Sequence, residues 1–128
     1  MQKTSETKTT TITINNEGIL YLTAKPGEKI DGEEAKNICN AVKEITKGEK
    51  VLEVLVGFNF STANNAALKY ASEHGKESYI ASAMIVNSIS TKILFNFFKN
   101  FFKYEVPFKL FTKEKDALNW LRKFSNKK

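Results

Sequence analysis

The sequence predicts an α/β domain, with a single mixed β-sheet flanked by helices. Short β-branched or continuously apolar segments alternate with segments of helical periodicity along most of the chain. A length of 128 residues, with 41% hydrophobic and 27% charged residues, suits one domain with its own core. The predicted order is β-β-α-β-α-β-α-β-α, in which strand–helix–strand units pair in parallel through right-handed crossovers. The two opening strands add an antiparallel pair and make the sheet mixed.

The first residues predict a hairpin that follows a short tail. Residues 1–8 are polar and lack apolar periodicity, which indicates a disordered N-terminus before a single domain over residues 9–125. Residues 9–14 and 19–24 alternate in the way that strands do. Between them, residues 15–18 (NNEG) supply turn chemistry, so the two strands are expected to form an antiparallel hairpin.

The first helix is predicted from its start and stop signals. Asp31 is placed to cap the N-terminus, and Glu34 stands three residues later, as in a capping box. Gly48 is placed to end the helix. The lone Cys39 falls on the apolar side and is interpreted as core filling. The apolar positions that define this side recur at helical spacing: Ala35, Ile38, Val42 and Ile45.

A buried strand and a small-residue helix come next. Residues 51–58 are almost continuously apolar, which predicts a strand covered on both faces. Glu53 is the exception, and we expect it at a strand edge or paired with a Lys. Ser61 and Thr62 stand where this strand turns into a helix that ends near Gly75. A hydroxyl at that position caps a helix. It is also a candidate phospho-acceptor and partner site, because a helix N-terminus stabilises added negative charge.

The segment after the next predicted strand is rich in phenylalanine. A helix over residues 89–104 would carry five of the ten Phe residues, and its apolar arc would be nearly twice the about 100° that a surface helix needs. In one interpretation, a neighbouring helix or the C-terminal segment covers the extra arc. In the other, Phe95, Phe98 and Phe102 form a hydrophobic interaction surface for self-association or for an apolar ligand.

The net charge of +6 is concentrated at one end of the chain. Residues 92–128 hold 10 basic and 3 acidic residues (+7), whereas residues 1–91 hold 10 basic and 11 acidic residues (−1). However, 19 of the 20 basic residues are Lys, and Arg is the residue that grips phosphates and reads base edges. The composition therefore favours a Lys-rich solvated face over specific nucleic-acid binding.

Residues that could carry out catalysis are few. His74 is the only histidine, which excludes a metal cluster built on several His ligands, and we expect it to be solvated at a helix end. No dinucleotide-binding GxGxxG, phosphate loop or GxSxG is present. We therefore expect no enzyme activity, no metal and no cofactor. A single Cys and the lack of a signal-type or 18-residue apolar run predict a cytoplasmic protein.

Several stretches are familiar in combination. The opening hairpin is followed by VLVGF and a Ser/Thr-capped helix with ALKYAS, then by ASAMIVNSIS, KILFNFF and PFKLFT leading into ALNWL. In this combination, residues 11–124 resemble the STAS-like, SpoIIAA-like small bacterial proteins, and in particular an uncharacterised branch associated with Bacteroidetes-type bacteria. The resemblance implies a non-catalytic regulatory or protein-interaction module.

The same resemblance suggests where a partner would act. In the anti-sigma-factor antagonists of this fold, a serine at the start of the helix after a central strand is phosphorylated to switch partner binding. The matching residues here are Ser61 and Thr62, although this chain reads FSTA in place of an Asp-Ser-type motif, so no partner kinase is inferred. We expect a protein partner or a homodimer. The alternative is binding of an apolar ligand or a membrane surface through the helix over residues 89–104.

Overall fold

The computed structural model describes residues 3–58, 63–90 and 105–125. Within these ranges lie six strands and three helices. In chain order they are β1 (Lys3–Glu6), β2 (Thr10–Ile14), β3 (Leu20–Ala24), α1 (Gly32–Thr46), β4 (Val51–Val56), α2 (Asn65–Ser78), β5 (Tyr79–Ile85), β6 (Phe108–Phe111) and α3 (Glu114–Arg122). None of the three helices is long and apolar enough to cross a membrane.

The six strands form one mixed sheet in the order β1-β2-β3-β4-β5-β6. The first three strands pair antiparallel, and β3 to β6 pair parallel. The helices α1 and α2 supply the crossovers on either side of β4, because parallel neighbours need a long connection. The predicted single mixed sheet with flanking helices is therefore confirmed.

The N-terminal strand differs from the prediction of disorder over residues 1–8. Lys3 to Glu6 pair with Ile14 to Thr11 in antiparallel register and form an edge of the sheet. Apolar periodicity is a poor guide at such a place, because an edge strand is held mainly by backbone hydrogen bonds to its single neighbour. Polar side chains are tolerated there, and three of the four in β1 are exposed.

The two faces of the sheet carry separate cores, because successive strand residues point to opposite sides. One core lies under α1 and α2, and its buried members include Ile12, Leu20, Leu22, Ile38, Val42 and Ala67. The other lies under α3, and its buried members include Ile19, Leu52, Val54, Ala83, Ala117 and Leu121. The side chains of β4 alternate between these two cores. Glu53 therefore points to the face that α1 and α2 cover.

Helix α3 holds the only Trp of the sequence against the second face. The ring of Trp120 lies 5.7 Å from that of Phe111 and 4.9 Å from that of Phe124. On the outside, Arg122 pairs with Glu17 of the hairpin turn at 2.8 Å. The helix is thus fixed to the hairpin on the side of the sheet opposite α1 and α2.

The ends of α1 confirm the predicted signals only in part. The Asp31 side chain accepts a hydrogen bond from the Glu34 N–H at 2.8 Å. After the helix, Lys47 (φ +56°) and Gly48 (φ +80°) both adopt left-handed backbone conformations. In a complete capping box, the Glu34 carboxylate would also accept a hydrogen bond from the Asp31 N–H. Among the described residues, Glu34 does not make this bond. Its carboxylate contacts the β1–β2 turn instead, through Thr7 and Thr9.

The start of α2 requires a correction. Its cap is Asn64, whose side chain accepts a hydrogen bond from the Ala67 N–H at 2.9 Å, so the predicted capping hydroxyl of Ser61 or Thr62 is wrong. The amide oxygen of Asn64 accepts from a backbone N–H of the first turn of α2, as a capping hydroxyl would. The helix also continues through Gly75 to Ser78.

Two predicted sites lie outside the described residues. Ser61 and Thr62 belong to residues 59–62, and Phe95, Phe98 and Phe102 belong to residues 91–104. The helix over residues 89–104 and its hydrophobic interaction surface therefore stay predictions.

Candidate functional site

A cavity of about 150 Å³ lies between α1, α2 and the sheet face beneath them. Its walls are mainly apolar side chains from both helices and from the four parallel strands β3 to β6, among them Leu22, Ile38, Leu55, Ala67, Leu68 and Met84. Protein interiors contain few voids larger than a water molecule. An apolar cavity of about this volume can hold a benzene-sized molecule.

Glu53 is a buried acid that lines this cavity. Only 3% of the residue is exposed, and its Oε1 accepts a hydrogen bond from the Ser82 hydroxyl at 2.6 Å. Ser82 is directly opposite on β5, because the two residues are register partners in the parallel ladder. Tyr79 makes a further side-chain hydrogen bond to the carboxyl.

The environment of Glu53 raises its pKa to about 7. Burial is the main cause, because a charged carboxylate loses its hydration there, and the hydrogen bonds from Ser82 and Tyr79 offset only part of this. The prediction of a strand edge or a Lys partner is wrong: β4 has a neighbour on each side, and the hydrogen-bond partners of Glu53 are hydroxyls.

Ser78, the last residue of α2, is the second buried polar group that lines the cavity. It is 3% exposed, and its Oγ has no hydrogen-bond partner in the part of the chain that the structure describes. A serine within a helix commonly bonds a carbonyl of the preceding turn. An unpaired buried hydroxyl costs about 1–3 kcal/mol, so such a group calls for a physical reason.

Aromatic side chains and one cysteine complete the cavity walls. Tyr70 and His74 stack with their ring centroids 4.2 Å apart, and Cys39 is half-buried beside them instead of filling the core. His74 Nδ1 also lies 3.5 Å from the carboxylate of Glu77, which bonds the Lys43 ammonium at 3.0 Å and so joins α2 to α1. His74 is therefore engaged on two sides and is not a freely solvated helix end.

The cavity also lies next to the described residues that flank residues 59–62. Phe58 and Ala63, the described residues on either side of residues 59–62, both line it. Ala63 forms a bridge with Ile30, and the Asn64 N–H donates to the Ile30 carbonyl at 3.0 Å. The described residues that flank Ser61 and Thr62 thus lie beside the cavity, and those on the C-terminal side are held to Ile30.

Sequence reasoning singled out Glu53 but missed its partners. A usable signal existed, because β4 and β5 are both apolar runs and each carries one polar residue near its middle, Glu53 and Ser82. Ser78 gave no signal, since it stands among polar residues at the end of α2. No group of three His, Cys, Asp or Glu side chains that could hold a metal ion occurs among the described residues.

Comparison with known proteins places this geometry in a family and a fold. Residues 12–125 match the model of a domain of unknown function, DUF7793. No curated protein matches the sequence. The chain is similar to the crystal structure of an uncharacterized protein of the DUF3478 family with a SpoIIAA-like fold, from Shewanella loihica PV-4. The TM-score is 0.55 at 19% identity, over 94% of this chain and 92% of that one. At this identity the likeness shows the fold, and it confirms the predicted SpoIIAA-like architecture.

Proposed function

The chain belongs to the DUF7793 family, and we propose that it is a non-catalytic STAS-like module that binds a small, mainly apolar molecule in the cavity under α1 and α2. The observation that carries this proposal is the combination of an apolar cavity with two buried polar groups. Glu53 has a raised pKa, and Ser78 has an unpaired hydroxyl among the described residues. Such a combination is typical of ligand sites, where a few polar groups orient an otherwise apolar molecule.

The absence of a catalytic role is part of the proposal. A nucleophile needs a base within hydrogen-bond reach. The hydroxyl of Ser78 bonds no base in the described residues, and that of Ser82 donates to a carboxyl already held in the sheet. These contacts favour binding and orientation over group transfer.

Titration with toluene, followed by methyl NMR, tests the proposal. We expect saturable shifts of the methyl signals of Ala67 and Ala71, which line the cavity. Ala71→Phe should weaken toluene binding by about tenfold or more, because the added ring at this cavity-lining position would compete with toluene for the cavity. Ala71 is exposed, so the larger side chain does not have to enter the packed core. The matched control is Ser72→Phe, the next residue on α2 and not part of the lining, which should bind toluene as the wild type does. Shifts that never saturate, or an Ala71→Phe variant with unchanged affinity, would contradict the proposal.

A second candidate function is favoured by the SpoIIAA-like fold. In this proposal the module regulates a protein partner, in the manner of an anti-sigma-factor antagonist, through Ser61 and Thr62. The residues that follow them support it: Ala63 and Asn64 are held to Ile30 by a bridge and a backbone hydrogen bond, so a charge added at Ser61 or Thr62 is close in sequence to the N-terminus of α2. Mass spectrometry of the protein from its native cell should find phosphate on one of the two hydroxyls. Ser61→Asp should then alter recovery of a defined partner, whereas Ser61→Ala should not.

Self-association or membrane contact through Phe95, Phe98 and Phe102 is a separate proposal that rests on the sequence alone. Light scattering tests the homodimer, because Phe95→Asp combined with Phe102→Asp should yield a monomer. Native mass spectrometry tests lipid contact, since a lipid-binding surface should retain co-purifying lipid. An unchanged mass and a bare protein, respectively, would remove the two ideas.

A further inference from the structure

We propose that the cavity selects a small organic amine, whose ammonium group lies between the Glu53 carboxylate and the Ser78 hydroxyl. This inference rests on the proposed function, because it requires that the cavity takes up a ligand. It adds the chemical class of that ligand, which neither the family nor the fold assigns.

The charge of the cavity lining favours a cation. Glu53 is the only acidic residue among the described residues that line the cavity, and none of them is Lys or Arg, although the chain has 20 basic residues. His74 is the one basic side chain there, and it already contacts Glu77. A buried carboxylate without a cationic neighbour is costly, and a ligand ammonium would supply the missing counter-charge. A ligand carboxylate would meet repulsion from the same group.

The hydrogen-bonding capacity of the two polar groups fits an ammonium donor. An ionised carboxylate only accepts hydrogen bonds, and it has about four lone-pair sites, of which Ser82 and Tyr79 engage two. The hydroxyl of Ser78 can accept as well, and it has no partner in the described structure. Both residues line the same cavity, and a primary ammonium has three donors, enough to bond each of them.

The remaining walls suit the rest of such a molecule. Four aromatic residues line the cavity: Phe58, Tyr70, Tyr79 and Phe108. Aromatic faces attract organic cations, and the attraction is larger when water is excluded. The volume suits an apolar body of about the size of one benzene ring.

Three compounds of nearly equal shape and different charge test this inference by NMR titration at about pH 8: benzylamine, benzyl alcohol and benzoate. Benzylamine should bind about tenfold or more tightly than benzyl alcohol, and benzoate should bind most weakly. In Glu53→Gln, the preference for the amine should fall to less than about threefold while benzyl alcohol binds as before. The matched control is Glu73→Gln, which removes the same charge from an exposed position on α2 that does not line the cavity.

Two further measurements separate the ammonium site from general attraction to the protein. Ser78→Ala should weaken benzylamine about threefold or more and leave toluene unchanged. Benzylamine affinity should fall as the pH drops from about 8 to about 6, because protonation removes the charge of Glu53. The other titratable groups that line the described cavity are Cys39, Tyr70, His74 and Tyr79, with Glu77 and Lys43 beyond them. Glu53→Gln should therefore abolish this dependence if Glu53 is its source.

The outcomes distinguish the two levels of the proposal. Toluene or benzyl alcohol binding as tightly as benzylamine would overturn the amine site and leave the apolar cavity as a binding site. Benzoate binding most tightly would likewise overturn it. Failure of all four compounds to bind would overturn the proposed function itself.

Discussion

Two buried glutamates on the same side of the sheet, Glu34 and Glu53, have pKa values that are shifted in opposite directions. Both residues are almost inaccessible to solvent, with Glu34 1% exposed and Glu53 3% exposed, but Glu53 lies deeper among protein atoms. Burial alone would raise both pKa values, yet the pKa of Glu34 is lowered and that of Glu53 rises to about 7. The comparison shows that a buried acid keeps its charge where enough hydrogen-bond donors surround it, and that its protonated form is favoured where it lies deep with only two hydroxyl donors.

The surroundings of Glu34 explain its lowered pKa. The Thr7 hydroxyl donates at 2.6 Å and the Thr9 N–H at 3.2 Å, and the Thr9 hydroxyl and the Asn37 amide also donate to this carboxylate. These donors outweigh the effect of burial. Its position in the first turn of α1 also suits negative charge. Glu53 sits mid-strand, where the N–H groups of β4 are used in the ladders with β3 and β5, so only side-chain hydroxyls are left to serve it.

The largest expected effect is the pH dependence of stability that Glu53 confers. Its folded pKa of about 7 lies above the ordinary 4.5, so the folded state retains a proton that the unfolded chain releases between these values. Stability is therefore highest at the acid end of this window and falls as the pH rises through about 7. From about pH 5 to pH 8, the free energy of unfolding should drop by about 2.5 kcal/mol, whereas Glu53→Gln should remove most of the drop.

Urea unfolding followed by circular dichroism at several pH values measures this effect. Glu73→Gln serves as the control, because it removes an exposed acid from α2 and should keep the wild-type slope. A wild-type protein equally stable at about pH 5 and pH 8 would refute a raised pKa for Glu53.

The next effect sharpens the comparison from the other side. Glu34→Gln should lower the free energy of unfolding by about 2 kcal/mol at neutral pH, because hydrogen bonds to a charged acceptor are the stronger kind. The lowered pKa of Glu34 contributes stability above about pH 4.5, and this stability is lost as the pH falls through the folded value. The free energies of unfolding of the wild type and of Glu34→Gln should therefore become similar at acid pH. Glu33→Gln, at the exposed neighbouring position, should behave as the wild type in the same urea titrations.

A smaller effect is expected at Ser82. Ser82→Ala should cost about 1 kcal/mol, since it removes one hydrogen bond from a buried group. It should also raise the pKa of Glu53 further, because the Ser82 hydrogen bond is one of the two that lower it. The inflection in the pH–stability curve would then move upward, and an inflection that stays in place would show that Ser82 does not control this acid.

The smallest effect is expected at Ser78. Ser78→Ala should leave stability unchanged or raise it by up to about 1 kcal/mol, because the hydroxyl makes no hydrogen bond in the described structure that could be lost. Thermal unfolding in the absence of added ligand is the measurement. A loss of more than about 1 kcal/mol would mean that this hydroxyl has a structural partner.

The sequence predicts the elements that depend on neighbouring residues. The hairpin, the Asp31 cap, the end of α1 at Gly48 and the mixed order of strands all follow from local periodicity and turn chemistry. What it misses depends on contacts between distant residues. From the local sequence, Glu34 is predicted to complete a capping box. The residues that donate hydrogen bonds to its carboxylate lie 25 and 27 residues away, in the turn after β1, and β1 itself is not predicted because its residues are polar.

The candidate site shows the same limit. The polar pair of Glu53 and Ser82 becomes visible only when two strands are aligned in register, 29 residues apart in sequence. The predicted sites at Ser61, Thr62 and the phenylalanine-rich segment rest on local composition, and they lie outside the described residues.

The placement of α3 has a practical consequence for every titration of this protein. Trp120 packs between Phe111 and Phe124, on the side of the sheet away from the cavity. Its fluorescence should therefore report global unfolding and should not change when a ligand binds in the cavity. A change in emission on adding a small aromatic compound would then indicate a second point of attachment or damage to the domain, and quenching data should be interpreted accordingly.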